Sequence, residues 1–337
     1  MPLPRCFPFR GTVRILFKVH AHRDSMQACV VGSTHVDFFI RVQRLPRAGE
    51  TVRGYGFLVK PGGKGANQAV GLGRLGARVY MVGRIGRDYK DFLLENFKRN
   101  GVMVDYVFID DEKNTGVAFI LLSEDGENMI VFDPGADYNF TPGDVERAEE
   151  AIRGSKVLLT QLEVPLETVE RALFLAKKHG VTTILNPAPA VSLPASILRA
   201  TDILTPNMVE ASLLSGIEIN DIQSAVKAGR RLLESGVKAV VVTLGSKGSL
   251  LVTEHEAIMI PAVKVEVKDT TGAGDAFNAG LALGILKGYS LVDSVKLGNI
   301  AAALKVTKYG AQDGLPWIEE LEESVSRFKS QMELMYL

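Results

Sequence analysis

Short apolar runs alternate with longer amphipathic segments along most of the chain, and this alternation predicts strands separated by helices. The pattern predicts strands at 28–31, 36–42, 79–82, 156–160, 182–185, 202–205 and 239–244. It predicts helices at 68–75, 88–100, 166–179, 209–214 and 225–235. Strands connected through helices pair in parallel by right-handed crossovers. The sequence therefore predicts an α/β fold, with a doubly wound, mostly parallel sheet, helices on both faces, and a ligand beyond the carboxyl ends of the strands.

One region predicts a small antiparallel addition to this sheet. Two apolar runs, 116–123 and 128–132, lie on either side of the polar segment 124–127, which contains Asp125-Gly126. Asp-Gly between two strand-like runs is typical of a hairpin turn. We therefore expect an antiparallel hairpin at this point in the chain.

Composition narrows the functional classes. The 337 residues are 46% hydrophobic, which is enough to bury a large core. The 39 basic and 39 acidic residues cancel, so no overall field attracts nucleic acid or an anionic membrane. No apolar run approaches the roughly 18 residues that span a bilayer. Cys6 and Cys29 provide neither a disulfide framework nor a thiolate metal site, so we expect a reducing, cytoplasmic compartment and a small-molecule partner.

Residues 1–25 stand apart from the predicted fold. Asp24 is the first acidic residue, and the basic residues before it are Arg5, Arg10, Arg14, Lys18 and Arg23. An acid-free, Arg-containing start is typical of a mitochondrial or plastid transit segment, although Ser is scarce and prolines occur early. The alternative is an upstream extension ahead of Met26.

The most informative run is 269–276, which reads Asp-Thr-Thr-Gly-Ala-Gly-Asp-Ala and precedes an apolar helix. Gly272 and Gly274 allow a sharp turn that brings backbone N–H groups to a ligand at the positive end of the helix, so an anion should bind there. A carboxylate at Asp275 would repel that anion, so its presence there calls for a function. We interpret Asp275 as the group that accepts a proton from a hydroxyl that attacks a phosphoryl group. The alternative is an ordinary connection whose carboxylate complements the helix dipole.

A second glycine turn, 62–68, reads Gly-Gly-Lys-Gly-Ala-Asn-Gln and also opens a helix. It is not a Walker A loop, because Lys64 is followed by Gly65 and not by the Ser or Thr that holds Mg²⁺. Gly63 allows close approach, and Asn67 offers both a donor and an acceptor, which suits a polyol. The alternative is an ordinary helix start.

A third glycine pattern, 71–76, matches the dinucleotide fingerprint G-x-G-x-x-G. That fingerprint belongs at a turn between a strand and a helix, whereas these residues fall inside a predicted helix and at its end. We therefore interpret the glycines as sites of close helix packing and helix termination, and reject a dehydrogenase.

Further polar motifs follow predicted strands. Asn186-Pro187-Ala188-Pro189-Ala190 ends one strand. Asn207 and Glu210 follow the next and share a helix face, where they could reach a Mg²⁺-phosphate group through water or form a simple capping box. The turn 243–248 could run along nucleotide phosphates or could be a plain hairpin turn.

Together these motifs resemble the ribokinase-like sugar and nucleoside kinases, from about residue 26 to Trp317. Runs 207–210 and 269–275 are typical of the whole group, whereas runs 62–67 and 186–190 are similar to the ribokinases within it. The resemblance implies an ATP-dependent carbohydrate kinase that phosphorylates D-ribose at its 5-hydroxyl, giving D-ribose 5-phosphate and ADP.

The resemblance also implies roles for individual residues. Asp275 would be the general base, and the N–H groups of Gly272, Ala273 and Gly274 would form an anion hole. The residues implied to contact the sugar are His35, Asp37, Gly62, Gly63, Lys64, Asn67, Glu163 and Asp275. Those implied to hold ATP are Asn207, Thr243, Gly245, Gly248, Gly274 and Asn299, with Glu210 organising Mg²⁺ through water. A monovalent cation such as K⁺ is implied at the carbonyls of Asp269, Thr271 and Gly310.

Two residues depart from the family pattern. His35 stands where many ribokinases carry Asn, so the acceptor could instead be deoxyribose, fructose or a nucleoside. Gly314 stands where the family often supplies a Ser to the monovalent-cation site. A catalytically silent sugar-binding protein is a further alternative, but Asp275 behind an intact glycine turn argues against it.

The same resemblance sets the expected domain organisation. The kinase domain would span 26–320, with lid segments at about 36–60 and 113–132, followed by a C-terminal helix or tail at 321–337. The edges of the lid would pair between subunits to form a homodimer.

Overall fold

The structure, a computed structural model, describes residues 26–328, 331 and 334–337. The strands are β1 (Gln27–Val31), β2 (His35–Val42), β3 (Gly54–Gly62), β4 (Arg78–Gly86), β5 (Val102–Asp110), β6 (Gly116–Ser123), β7 (Asn128–Asp133), β8 (Val157–Thr160), β9 (Thr182–Leu185), β10 (Ile203–Leu204), β11 (Ala239–Thr243), β12 (Ser249–Thr253), β13 (Ala257–Ile260) and β14 (Met335–Tyr336). The α-helices are α1 (Lys64–Arg74), α2 (Lys90–Arg99), α3 (Pro142–Arg147), α4 (Glu149–Arg153), α5 (Leu166–Lys178), α6 (Ala195–Arg199), α7 (Met208–Ser215), α8 (Ile222–Leu233), α9 (Ala273–Leu286), α10 (Leu291–Val306) and α11 (Ile318–Phe328).

The main sheet runs in the order β14-β13-β12-β11-β10-β9-β8-β1-β4-β5 across the described residues. Every pair from β11 to β5 is parallel, whereas the pairs from β11 to β14 are antiparallel. Parallel strands joined through helices require cover on both faces. The predicted doubly wound, mostly parallel sheet is therefore confirmed.

Strand β1 shows how the sheet divides the core. Ala28 and Val30 point to one cluster, which also contains buried residues of α1, α9, α10 and α11. Cys29 and Val31 point to the other, which contains residues of α5, α6, α7 and α8. Because successive side chains of a strand face opposite sides, both faces of the sheet are apolar and covered by helices.

A smaller sheet, here called the lid sheet, consists of β2, β3, β6 and β7 in the order β3-β2-β6-β7. The predicted hairpin is present, because β6 and β7 pair antiparallel. The lid sheet leaves several large apolar side chains exposed: Tyr55, Phe57, Leu58, Phe119, Met129, Ile130, Val131 and Phe132. It is therefore covered less completely than the main sheet.

Helix α1 begins at Lys64, earlier than the pattern predicted, so both Gly71 and Gly73 lie inside it. A Cβ atom on Gly71 would come within 2.8 Å of the Ala279 Cβ, and one on Gly73 within 2.2 Å of the Asn100 carbonyl oxygen. These glycines allow close packing, so the interpretation of run 71–76 as a packing feature is confirmed.

The end of the chain belongs to the main fold. Helix α11 begins at Ile318 and buries Leu321, Val325 and Phe328 in the core, and β14 pairs with β13. Residues 1–25, with the predicted transit segment, lie outside the described part of the chain. Within the described residues, no helix combines the length and the apolar character needed to cross a bilayer.

Candidate active site

A cleft of about 190 Å³ lies at the carboxyl edge of the main sheet, where the starts of α1, α7 and α9 meet. Its lining residues are Lys64, Asn186, Ala188, Thr205, Asn207, Glu210, Thr243, Thr270, Gly272, Ala273, Gly274, Asp275 and Asn278. The lining thus combines both glycine turns with the polar motifs that follow β9, β10 and β11.

The start of α9 has the geometry of an anion site. Gly272 adopts a left-handed conformation with φ 78°, which turns the chain into the first helical residue. The first N–H groups of a helix have no partner inside it and carry the positive end of the dipole. The Ala273 N–H donates to the Thr270 carbonyl over 3.1 Å, so this member of the predicted anion hole has a local partner in the structure.

Asp275 lies in the first turn of α9 and is buried, with 5% of its surface exposed. Asn67 Nδ2 donates to one carboxylate oxygen over 2.9 Å, and Gln68 Nε2 donates to the other over 3.0 Å. Burial raises the pKa of Asp275, and the Lys64 ammonium and the two amide donors act against that rise. The carboxylate is thus held rigidly by α1 while it faces the cleft.

A chain of side-chain amides supports this arrangement, and two of its members had no sequence signal. Gln161 Nε2 donates to Gln68 Oε1 over 2.7 Å, and Gln68 Nε2 also reaches Asn186 Oδ1 over 3.2 Å. Gln312 Nε2 donates to Asn67 Oδ1 over 3.0 Å. Asn67, Gln68 and Asn186 lie in motifs that the sequence showed, whereas Gln161 and Gln312 had no sequence signal.

Lys64 connects the two sides of the cleft electrostatically. Burial acts to lower its pKa, but the carboxylates of Asp275, Glu163 and Glu210 outweigh burial, so the pKa is raised. Lys64 therefore remains a cation. Its backbone N–H also donates to Glu163 Oε2 over 2.9 Å, and the same oxygen accepts from Ser33 Oγ over 2.6 Å.

His35 is enclosed beside these groups. Its Nδ1 lies 3.0 Å from Asp137 Oδ2, and its Nε2 lies 3.7 Å from Glu163 Oε2. Burial acts to lower the pKa of His35, but the hydrogen bond to Asp137 and nearby carboxylates outweigh it, so the pKa is raised. Burial also raises the pKa of Asp137 to about 6, against the effect of His35. Asp137 had no sequence signal.

Asp37 lies close to the start of α1. A Cβ atom on Gly62 would come within 2.4 Å of Asp37 Oδ1, so any side chain there would displace the Asp37 carboxylate. Burial raises the pKa of Asp37 to about 6, while His35 lowers it and Glu163 raises it further. Gly63, which caps α1 with φ 96°, completes this turn.

Asn207 and Glu210 form a capping box, which is one of the two alternatives that their spacing allowed. Asn207 Oδ1 accepts from the Glu210 N–H over 2.9 Å, and Glu210 Oε2 accepts from the Asn207 N–H over 2.8 Å. Both residues also line the cleft, so they contact the cleft while they cap the helix. Burial raises the pKa of Glu210, with the Asn207 N–H and Lys64 acting against that rise.

The remaining residues expected at the nucleotide occupy three different places. Thr243 lines the cleft and pairs with Asn207 in an isolated bridge. Gly245 and Gly248 form the hairpin turn between β11 and β12, so the plain hairpin alternative describes their backbone. Asn299 does not line the cleft; it is buried, accepting from Ser249 Oγ over 2.6 Å and donating to the Ile260 carbonyl over 3.2 Å.

Asp269 organises the loop that leads into α9. Its carboxylate accepts from the Thr271 N–H over 2.9 Å and from the Gly310 N–H over 2.8 Å. The Gly310 carbonyl accepts from the Gly314 N–H over 3.1 Å. Lys305, which had no sequence signal, donates its ammonium to the Asp269 carbonyl over 2.8 Å. Of the carbonyls expected to hold a monovalent cation, that of Asp269 is therefore already in contact with a protein cation.

A doubly wound sheet, a helix start at its carboxyl edge and a buried carboxylate beside a lysine define the class as a small-molecule kinase. The family profile described as pfkB family carbohydrate kinase matches residues 26–318. The chain therefore belongs to the pfkB family of carbohydrate kinases, and the family and enzyme class that its motifs predicted are confirmed.

Individual relatives agree with this assignment. Ribokinase from Staphylococcus aureus (strain COL) is 40% identical over 302 residues, which cover 87% of this chain and 98% of that protein. Deoxyribokinase from Salmonella typhi is 35% identical over 303 residues, which cover 89% of this chain and 99% of that protein. The solved structure of Arabidopsis thaliana ribokinase complexed with ribose and ATP is 33% identical, with a TM-score of 0.83 and coverage of 88% of this chain and 97% of that one.

Proposed function

We propose that this protein transfers the γ-phosphoryl group of ATP to the 5-hydroxyl of D-ribose, giving D-ribose 5-phosphate and ADP. The observation that carries the proposal is the buried Asp275 carboxylate, which faces the cleft at the start of α9 and is held by Asn67 and Gln68. The similarity to ribokinases, including one complexed with ribose and ATP, supports the choice of substrates.

In the proposed reaction, the ribose 5-oxygen attacks the γ-phosphorus as Asp275 accepts the hydroxyl proton. The bond between that phosphorus and the bridging oxygen breaks, and its electron pair leaves with ADP. Phosphoryl transfer depends on positioning and charge stabilisation more than on covalent chemistry. The N–H groups of Gly272 and Gly274 and the Lys64 ammonium would supply that stabilisation, with donors aimed where negative charge develops. The Ala273 N–H would join them by leaving the Thr270 carbonyl.

The proposed sugar site lies on the α1 side of the cleft. Asp37 and Glu163 would accept hydrogen bonds from sugar hydroxyls, and Lys64 and Asn67 would donate to them. Gly62 and Gly63 would let the sugar approach the backbone. His35 would act on the sugar through its carboxylate neighbours, since each of its ring nitrogens already faces one.

The proposed nucleotide site lies on the α7 side, with Asn207, Thr243, Gly245 and Gly248 beside the ATP and Asn299 supporting the adjacent strands. Among the described residues, no group of three or more His, Cys, Asp or Glu side chains is placed to bind a metal directly. Mg²⁺ commonly keeps several waters and is bound through substrate phosphates with one or two carboxylates. The buried Glu210 carboxylate fits such an outer role, where Mg²⁺ would neutralise phosphate charge.

We also propose a homodimer formed through the lid sheet. Its exposed residues include Phe119 and Val131 on one face and Ile130 on the other, and exposed large apolar side chains grouped in this way are typical of a protein interface. A lid of this kind would also exclude water from a reaction that otherwise hydrolyses ATP. Sedimentation or light scattering of the full chain tests the dimer directly.

The test of function is a coupled ADP-release assay on the full chain with ATP and Mg²⁺, run with ribose, 2-deoxyribose, fructose and adenosine. NMR of the product then distinguishes phosphate at the 5-oxygen from phosphate at the anomeric oxygen. Asp275→Ala, which should abolish turnover, shows that the activity belongs to this protein. No ribose turnover in the wild type would refute the proposal.

A second candidate is the same chemistry on 2-deoxyribose. Two observations favour it: His35 stands where many ribokinases have Asn, and a deoxyribokinase is 35% identical over nearly its whole length. The assay separates the candidates through the ratio of kcat/KM values. A higher value for 2-deoxyribose would replace the first proposal with the second.

A further inference from the structure

The side chain of Lys305, in the last turn of α10, has no exposed surface. Lysine is rarely buried completely unless its ammonium is paired. Here the ammonium donates to the Asp269 carbonyl over 2.8 Å and to the Lys308 carbonyl over 3.4 Å, and it lies 3.4 Å from Asp269 Oδ2. One carboxylate and two carbonyls thus surround a positive charge, as they would surround a bound alkali cation.

The ammonium lies where the family resemblance implied a monovalent cation. The implied ligands include the Asp269 carbonyl, which Lys305 contacts, and the Gly310 carbonyl, which already accepts from the Gly314 N–H. A K⁺ ion close to the Asp269 carbonyl would meet the Lys305 charge in a buried site, where repulsion between like charges is weakly screened. The residues present therefore do not fit a separate K⁺ ion.

Gly314 provides an independent observation. A Cβ atom at this position would lie 3.0 Å from Lys305 Cε and 2.8 Å from the Gly310 carbonyl oxygen. A serine in this place would thus crowd the lysine chain. The two residues fit each other, because the absence of a side chain at 314 leaves the space that Lys305 occupies.

We propose that the Lys305 ammonium takes the place of the monovalent cation, so that the kinase works without K⁺. Lys305 joins the loop that leads into α9 to the backbone after α10. The same connection is made by the Asp269 carboxylate with the Gly310 N–H over 2.8 Å and by the Lys268 N–H with the Val306 carbonyl over 2.7 Å. The lysine therefore holds in place the loop that presents the anion site.

This inference rests on the proposed function for its kinetic test. ADP release with ATP, Mg²⁺ and ribose is measured in KCl and in tetramethylammonium chloride at equal ionic strength. We expect wild-type rates to agree within about twofold, because the two salts screen charges equally and no ion has to bind. Saturable activation by K⁺ beyond that range would overturn the proposal.

Variants test whether independence from K⁺ depends on Lys305. Lys305→Ala should lose at least about tenfold in kcat in tetramethylammonium chloride, because the loop loses its internal cation. KCl should restore part of that loss, and the double variant Lys305→Ala, Gly314→Ser should depend on K⁺ more strongly. Lys296→Ala is the matched control, since Lys296 is on the same helix and pairs with Asp293 over 3.3 Å. Equal rates of Lys305→Ala and wild type in both salts would overturn the proposal.

Thermal unfolding supplies a readout that does not need activity. A cation that binds only the folded state raises the unfolding midpoint. The wild-type midpoint should be the same in the two salts, whereas that of Lys305→Ala should be higher in KCl. If no sugar is phosphorylated, the proposed function fails. The comparison of unfolding midpoints in the two salts still tests whether Lys305 takes the place of the cation. A specific, saturable rise of the wild-type midpoint with K⁺ would overturn it, even if Lys305→Ala does not fold.

Discussion

The starts of α1 and α9 are both glycine turns at the cleft, yet they are built differently. At α1 the glycines are enclosed: a Cβ atom on Gly65 would lie 2.6 Å from the Ser33 nitrogen, and one on Gly63 2.9 Å from the Ser33 oxygen. At α9 a Cβ atom on Gly274 would meet nothing within 4 Å. The first turn is closed by protein at both positions, whereas the second contacts Ala311 at Gly272 and is open to a ligand at Gly274.

A helix start can require glycine for two different structural reasons, and the sequence alone does not distinguish them. The α1 turn holds side chains in place, because Asn67 and Gln68 must reach the Asp275 carboxylate from it. The α9 turn leaves its backbone accessible, which is what an anion requires. Substitutions in the two turns should therefore affect different quantities, stability at α1 and ligand binding or turnover at α9.

The largest expected effect is at the point where the two turns meet. Asp275→Ala should lower kcat by about 10² to 10⁴, the usual range for a general base, because no other described group accepts the proton at that position. Its thermal midpoint and its ATP affinity, measured by titration, should remain near those of the wild type. A kcat within a few-fold of the wild type would show that Asp275 only completes the structure.

Lys64→Met should lower kcat by about 10² to 10³, because a cation that opposes three carboxylates and the developing phosphoryl charge is lost. The Lys64 ammonium lowers the pKa of Asp275, so its removal should raise that pKa. The acidic limb of the pH profile of kcat/KM should therefore move to higher pH. An unchanged profile with lower kcat would mean that Lys64 acts on substrate alone.

The paired variants Gly65→Ala and Gly274→Ala test the comparison itself. Gly65→Ala should destabilise the fold by about 1–3 kcal/mol, because its methyl group meets backbone that cannot move aside. Gly274→Ala should leave stability nearly unchanged and raise the KM for ATP, because its methyl group extends into open space at the cleft. Urea unfolding and steady-state kinetics on both variants give the answer. Equal losses of stability would show that the α9 turn is enclosed as well.

The sequence predicted the part of this site that depends on local chemistry. Asp275, its glycine turn and the Lys64 turn were found because each occupies consecutive positions with a characteristic spacing. Gln161, Gln312, Asp137 and Lys305 were missed, because each acts on a residue distant in the chain and has no local pattern. Only the fold brings such residues together.

The strands and helices were also predicted best where the local sequence pattern was clear. Most parallel strands of the main sheet had clear apolar runs, whereas the parallel strand β5 and the antiparallel strands β12 and β13 lie outside the segments that the pattern predicted. These strands contain Val, Ile, Leu or Phe, so local propensity does not oppose them, but short apolar runs of this kind cannot be assigned to strands by periodicity alone. Helix α1 began earlier than predicted because its glycine-rich first turn has low helix propensity and is held by packing.

The smallest expected effect lies at the edge of the α1 turn, where Asp37 packs against Gly62. Burial raises the pKa of Asp37 to about 6, with His35 and Glu163 as its charged neighbours. Only the ionised carboxylate accepts hydrogen bonds from sugar hydroxyls without itself donating, so the KM for ribose should fall as the pH rises through 6.

Stability should change in the opposite direction. The folded pKa exceeds the unfolded value of 3.8, so this contribution is full below 3.8 and is lost as the pH rises through about 6. Asp37→Asn should remove both trends at a modest cost in KM. Measuring KM and the unfolding midpoint from about pH 5 to about pH 8 in both proteins tests this, and identical pH dependence in the variant would assign the titration to Asp137.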